Sequence, residues 1–454
     1  MTGMPLVFLE TLGCPKNQAD SSQIRGMLLE RGCAFTDLPQ EAEIILLNTC
    51  GFIDEAKEES IQAILRLAEW KKKGRCRFLA VMGCLPQKYG GELESAIPEA
   101  DLFLGVNDWH VLCERIYDMG GHRALKGRLQ VGRPDRELYR LSWAAVEEEA
   151  PAGYIKIADG CDHHCTFCVI PQIRGGYRSR APRDIVGEAS ARTSKGLREA
   201  VLVAQDTGAY GKDLIPPSSL AELVRSLCAV DGLRRIRVMY CYPEEVDEEL
   251  IEAMRDPKVC PYLDMPIQHA DDGILRGMGR KLGSARLKEI IGKLRENIPD
   301  IVIRTTLMVG FPGETEEAFQ RLLDFLEEYR LERVGFFAFS PQPDTPAEKM
   351  PKQVGSRNKE KRLEIAREAQ SRIFREWNDS RVGRVVEVMI DEETGADGAL
   401  RYYEGRTSQD APEIDGLVSL SSGGRLQPGQ IVNVRITHSG DYILSGEITD
   451  EPCQ

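Results

Sequence analysis

No apolar run in these 454 residues is long enough to cross a bilayer. Runs such as those at 43–47 and 301–303 fall far short of the ~20 residues a spanning helix needs. Positive charge is not in excess either: 59 Lys and Arg stand against 72 Asp and Glu, a formal net charge of −13. A general electrostatic hold on nucleic acid requires a basic face, so direct binding is not expected, and only a local patch keeps that role open. Met1–Glu10 lacks the pattern of a secretory leader, and 13 cysteines are an odd number in so large a chain. Both argue against a secreted scaffold knit by disulfides. The expectation is a soluble, cytoplasmic protein with reduced thiols, no membrane partner and two to four domains.

What the chain does have is thiols in a pattern. Cys161, Cys165 and Cys168 fall within eight residues as C-x3-C-x2-C. On one short loop they can turn inward and hold three corners of a soft metal centre, and Phe167 is placed to screen it from water. A 4Fe-4S cubane held by three cysteines keeps its fourth iron open for a ligand that is not protein. A zinc knuckle completed by His163 or His164, and redox or incidental cysteines, are the alternatives.

Leu6-Val-Phe-Leu9 is an apolar run of β-formers leading to Gly13-Cys14, and Asp20 to Arg31 reads as a helix with Ile24, Met27 and Leu28 on one face. Residues 43–47 run into Asn48-Thr-Cys50-Gly51, then a helical pattern over 54–73 that points Ile61, Ile64, Leu65 and Ala68 inward. Residues 77–82 run into Gly83-Cys84, with Pro86 closing the strand. Alternating strands and helices predict a parallel sheet whose strands end along one edge, where ligands bind. Cys14, Cys50 and Cys84 are thereby expected to converge, with Gly13, Gly51 and Gly83 allowing tight turns. A second three-cysteine cluster site is the sharper reading, and three buried core thiols the plainer one. Cys33, Cys76 and Cys113 lack this placement and read as packing residues. Between 120 and 153 the periodicity weakens among glycines and prolines, which predicts a linker.

Six strand candidates follow, at 154–158, 200–204, 236–240, 262–267, 301–307 and 333–339. Helical patterns at 182–194, 219–229, 244–254, 285–296 and 314–329 separate them. Six β-α units predict an open (β/α)6 barrel, with the cysteine loop after its first strand and the active groups at the carboxyl rim. Gln205-Asp206-Thr207, Tyr242-Pro243-Glu244, Gln268-His269 and Gly310-Phe-Pro-Gly-Glu314 lie on that rim. Phe167, Gln205, Asp206, Gly310 and Gly313 are the candidate contacts for a small, zwitterionic, nucleoside-bearing cofactor. Ordinary rim polarity and a plain turn at Gly310–Gly313 are the alternatives. His269 reads equally as a rim residue or a hydrogen-bonded structural histidine. An irregular, proline-rich segment then leads to a charged helix over 358–377.

From 380 to 448 the pattern changes to five short alternating strands between glycine and aspartate turns, which predicts a small OB-like β-barrel. Six arginines from Arg381 to Arg435 are set against twelve acidic residues from Asp391 to Glu451. An RNA-binding surface should lean the other way.

With these residues in view, nearly the whole chain resembles the methylthiotransferases, three-domain radical S-adenosylmethionine (SAM) enzymes. The resemblance implies an amino-terminal parallel α/β domain at 4–120, a linker at 121–150, a radical SAM barrel at 151–377 and a TRAM β-barrel at 380–448. It implies that Cys161, Cys165 and Cys168 hold a 4Fe-4S cluster whose open iron chelates SAM, and that Cys14, Cys50 and Cys84 hold an auxiliary one. Thr11-Leu-Gly-Cys-Pro-Lys-Asn17, Tyr262-Leu-Asp-Met-Pro-Ile-Gln-His269 and Asp410-Ala-Pro-Glu-Ile-Asp-Gly416 resemble the RimO type. That type modifies an aspartate of the twelfth protein of the small ribosomal subunit. The implied chemistry is reductive cleavage of SAM, hydrogen abstraction from the aspartate β-carbon, and attachment of a methylated sulfur. It requires an external electron donor and a sulfur source. A tRNA adenosine methylthiotransferase is the main rival, and a non-catalytic metal-binding scaffold a more distant one. A basic ribosomal protein suits the acidic terminal barrel better than tRNA does.

Overall fold

A computed structural model describes residues 5–118, 127–134 and 150–453. Most of the expected linker, 119–126 and 135–149, lies outside them. The first unit is a six-stranded parallel sheet of β1 (Leu6–Thr11), β2 (Ala34–Phe35), β3 (Ile44–Thr49), β4 (Phe78–Gly83), β5 (Leu102–Leu104) and β6 (Leu129–Gln130), in the order β2-β1-β3-β4-β5-β6. Every residue of the central β3 is buried, as a parallel strand covered on both faces requires. Three of these strands were not predicted, because two or three residues are too few to show a period. β6 also corrects the linker reading at 127–134. Leu129 pairs with Phe103, and Arg128 donates to the carbonyls of Glu94, Ile97 and Ala100, tying the strand to the sheet.

A helix at Asp54–Ala68 follows β3 and buries Ser60, Ala63, Ile64, Leu67 and Ala68. Ile61 and Leu65, expected inward, are 38% and 49% exposed. The reason is Ser60. Its hydroxyl accepts from Cys50 N at 3.2 Å and donates to Cys50 O at 2.9 Å, so the helix presents the face that carries this anchor and turns the adjacent apolar pair to solvent. The predicted 54–73 helix also divides, with a separate short helix at Trp70–Lys73.

The central unit contains β7 (Ala152–Lys156), a small hairpin of β8 (Ala158–Asp159) and β9 (Arg178–Ser179), then β10 (Glu199–Val203), β11 (Arg235–Val238), β12 (Val259–Asp264), β13 (Val302–Val309) and β14 (Arg333–Ala338). Apart from the hairpin these six strands form one parallel sheet in chain order, the predicted open (β/α)6 arrangement. The helix expected at 244–254 is instead a 3-10 turn, Pro243–Glu245, and a helix, Glu248–Ala253, because Asp247 caps the latter by accepting from Leu250 N at 2.8 Å. Leu202, Val238, Leu263 and Ile303 pack outward against the helices. On the inner face Tyr154, Val201, Met239, Tyr262 and Val302 pack against residues of the other two units, Ala19 and Ala411.

The last unit is a closed barrel in the order β15-β16-β17-β19-β18, formed by β15 (Val385–Asp397), β16 (Leu400–Thr407), β17 (Leu417–Ser422), β18 (Ile431–Ser439) and β19 (Ile443–Ile448). Val388, Tyr403, Val418, Val434 and Leu444 fill it. Among the described residues, no helix is long and apolar enough to cross a membrane.

Candidate active site

Three strand–cysteine–helix turns stand side by side on the first sheet. β1 leads to Cys14, the N-cap of α1 (Pro15–Glu30); β3 leads to Cys50; and β4 leads to Cys84, first residue of the helix Cys84–Ala96. Asn17 donates to Leu12 O at 2.9 Å and to Thr49 O at 3.1 Å, Asn48 donates to Asn17 O at 2.9 Å, and Thr49 donates to Met82 O at 2.7 Å. The turns are thus stitched together by side chains next to the cysteines. They are also closely packed: a Cβ on Gly13 would lie 2.7 Å from Cys50 Cβ, and one on Gly51 2.9 Å from Leu85 Cα. Burial, reinforced by Cys84 and Cys14, pushes the Cys50 thiol up to about 12, and burial also raises that of Cys84. Such a set has no use for its own ionised form unless a cation accompanies it.

The second set lies on the loop between β8 and the helix Ile170–Arg174. Cys161 N donates to Gly175 O, and Thr166 is tied to the 277–278 turn through its N–H and hydroxyl. Gly160 permits the entry turn at φ 80°, where a Cβ would come within 2.0 Å of Gly176 O. His163 stacks on Tyr242 with ring centroids 4.0 Å apart, and Arg280 covers Tyr242 at 4.2 Å while its Nη1 approaches Cys165 Sγ at 3.8 Å. Burial pushes Cys161 and Cys168 up to about 12 each.

No three or more His, Cys, Asp or Glu side chains among the described residues are grouped to hold a single metal ion. In a cubane each cysteine bonds a different iron, so its sulfurs stand farther apart than ligands of one ion. Two all-thiol sets, each with two buried cysteines and one partly exposed, fit such a cluster in donor chemistry. A zinc knuckle completed by His163 or His164 would need ligands grouped around a single ion, and none are so grouped among the described residues.

The sets are linked by Arg174, 1% exposed, which ends the helix after Cys168. Its Nη2 donates to Asn17 Oδ1 at 2.8 Å and to Cys84 Sγ at 3.4 Å, and its Nη1 to Asp20 at 2.8 Å and Asp159 at 3.3 Å. Lys156 pairs with the same Asp20. Beside this bridge, Lys16 of α1 lies 3.4 Å above the ring of Tyr240, a non-glycine residue held at φ 59°. Strained backbone of this kind persists where the surroundings fix it, often at functional sites.

The other candidate contacts separate. Gln205 Oε1 is buried without a hydrogen-bond partner, whereas Asp206 is used inside the protein, by His163, Gly208 N and Tyr242 N. Phe167 packs edge-on against Phe311, centroids 6.4 Å apart. Gly310 and Gly313 both have positive φ. A Cβ on Gly310 would lie 2.4 Å from Lys359 Cγ, while Gly313 has open space and donates to Lys352 O. The motif is therefore a turn closed by Glu314, which accepts from Gly310 N at 2.6 Å and Arg362 at 2.7 Å. His269 is structural: Nδ1 accepts from Asp271 N at 2.9 Å and Nε2 contacts Glu314 at 3.0 Å. Arg174, Arg280 and Asn17 went unnoticed as site residues. Only their closeness in sequence to cysteine or glycine motifs hinted at them.

The radical SAM superfamily model matches residues 155–326, the TRAM domain model 382–449, and that of uncharacterized protein family UPF0004 residues 6–105. The ribosomal protein uS12 methylthiotransferase RimO of Heliobacterium modesticaldum is 44% identical over 98% of this chain and 95% of its own length. That of Desulforudis audaxviator is 45% identical over 97% and 96%. The chain belongs to the RimO family. As a member of the radical SAM superfamily it uses SAM and iron–sulfur chemistry. The RimO-family chain also shares its fold with a radical SAM methyltransferase, TsrM of Kitasatospora setae, at a TM-score of 0.56 and 14% identity, over 76% of this chain and 74% of that one.

Proposed function

We propose that this chain methylthiolates the β-carbon of an aspartate in ribosomal protein uS12, the twelfth protein of the small subunit. In this reading Cys161, Cys165 and Cys168 hold one 4Fe-4S cluster and Cys14, Cys50 and Cys84 a second. The observation that carries it is the pair of largely buried three-thiol sets, one at the strand ends of the first parallel sheet and one on the loop after β8, with Arg174 reaching from the second to the first. When bound, reduced cluster and SAM supply a hydrogen-abstracting radical and a methyl group, and the second site supplies sulfur. The chain's own residues fix the two sites relative to each other, and His163, Tyr242 and Arg280 wall the SAM-side loop. Gln205 is the rim side chain best placed to meet SAM, since its buried oxygen has no protein partner. An external one-electron donor and a sulfur source complete the reaction, and the acidic carboxy-terminal barrel favours a basic protein target.

Anaerobically reconstituted protein should hold about eight irons, and Cys161, Cys165 and Cys168 all changed to alanine should leave about four and abolish SAM cleavage. Reduced enzyme and SAM, offered uS12 or tRNA, should add a methylthio group to uS12 by mass spectrometry. Mass gain on tRNA alone would overturn the choice of substrate.

A further inference from the structure

Arg174 is carried by the SAM-side loop, yet its Nη2 bonds a sulfur of the other cysteine set, Cys84 Sγ, at 3.4 Å. Its other bonds hold both ends of the guanidinium: Asn17 Oδ1 takes the same Nη2 at 2.8 Å, and Asp20 and Asp159 take Nη1. The charges around it do not cancel. Arg174, Lys156 and Arg178 face the two carboxylates Asp20 and Asp159, three cations against two anions, and of the three Arg174 is the one that bonds Cys84. An N–H donor on a ligand sulfur withdraws electron density from it, and a nearby cation favours a cluster that has gained an electron; both raise its reduction potential. In a low-dielectric interior such a charge acts strongly because water does not screen it.

We infer that Arg174 is a positioning residue that raises the reduction potential of the cluster held by Cys14, Cys50 and Cys84, with Asp20 as its counterweight. This rests on the two-cluster reading above. The step it controls is the uptake of one electron, from dithionite in the test, with no atom or proton transferred. Arg174 reaches from the SAM-side loop to the other cysteine set, so a change in that loop that moves the Ile170–Arg174 helix also moves the donor on Cys84.

The test uses the full chain with Cys161, Cys165 and Cys168 changed to alanine, so that one cluster is left to titrate. Iron content comes first: about four irons are expected, and none would sink the two-cluster reading without reaching Arg174. The midpoint is then read by electron paramagnetic resonance during dithionite titration. Arg174→Gln should lower it so that, at the parent's midpoint, the oxidised-to-reduced ratio rises about tenfold, which is about 59 mV for one electron. Asp20→Asn should move it the other way, about threefold or more. A purely structural role for Arg174 predicts no such opposition of sign. An unchanged midpoint in either variant with its iron intact overturns the inference. If one variant loses its iron, the other decides by the same criterion, and loss from both overturns it as well.

Discussion

Changing Glu199 to Gln should weaken the docking of the carboxy-terminal barrel on the central sheet. Glu199, fully buried at the start of β10, accepts from Arg237 Nε at 2.7 Å and from Arg406 Nη1 at 3.1 Å. Arg406 in turn grips Asp391 with two bonds of 2.8 and 2.9 Å, and Arg235 and Arg237 donate to the carbonyls of Arg406 and Ser408. Burial alone would raise the Glu199 carboxyl, yet Arg237, Arg406 and Arg235 together hold it down to about 2, against an ordinary 4.5. That depression corresponds to about 3 kcal/mol. A carboxyl lowered on folding contributes fully above pH 4.5, and the contribution is lost as pH falls from 4.5 toward 2. An independent route gives a similar size, since removing one partner of a buried ion pair costs about 3–5 kcal/mol. Hydrogen exchange at pH 7 at the amides of Thr407 and Asp410, which are bonded in the loop beside this network, should be roughly a hundredfold faster in Glu199→Gln. The gap between wild type and variant in urea midpoint should close as pH drops through the same window. Exchange within about threefold of wild type, or a gap that persists at pH 2, would refute the reasoning.

Gly83→Ala should lower both stability and iron content. At φ 102° its Cβ would lie 2.4 Å from Asn48 Oδ1 and 2.8 Å from Thr49 O, a strain of about 1–3 kcal/mol. A thermal melt and an iron assay check it, with about four irons expected in place of about eight. Glu314→Ala should destabilise the central unit by about 3–5 kcal/mol, because Arg362, His269 and Gly310 N all lose their shared acceptor; urea denaturation measures it.

The period of the apolar residues revealed the long strands and the order of the β-α units, because each such strand has its own buried run. It could not reveal β2, β5 or β6, whose pairing comes from neighbours rather than from pattern. The placement of the cysteines was legible for a different reason: a parallel sheet aligns strand ends whatever the sequence between them, so three strand-end cysteines, each beside a glycine, imply one place. Of the inward face expected over 54–68, Ile64 and Ala68 are buried but Ile61 and Leu65 are exposed, the helix turning toward the sheet the side on which Ser60 bonds Cys50. Likewise His269 and Asp206 sit on the expected rim, but their polar atoms are used within the protein. Position on a rim follows from topology. Which side chains stay free depends on contacts across 40 or more residues, such as Glu314 on His269, and one-dimensional pattern carries none of these.

An open six-stranded sheet leaves its inner face without a partner, and here that face is partly ionic. Lys156, Arg237 and Arg304 each have one carboxylate within the half-barrel, Asp159, Glu199 and Asp264, and together with Arg333 they take further partners from outside it. These further partners come from both other units: Asp20 from α1 for Lys156, Asp391 and Ser408 around Arg406 for the Arg237 cluster, and Asp410 and Asp415 for Arg333 and Arg304. Asp415 also takes the hydroxyl of Tyr262 at 2.7 Å, and Gln18 of α1 reaches Glu413 of the same loop at 2.6 Å. The first and last units therefore meet inside the middle one. Charges that need partners from elsewhere penalise any arrangement in which the units separate. This holds the two cysteine sets at a fixed separation through α1 and the Ile170–Arg174 helix.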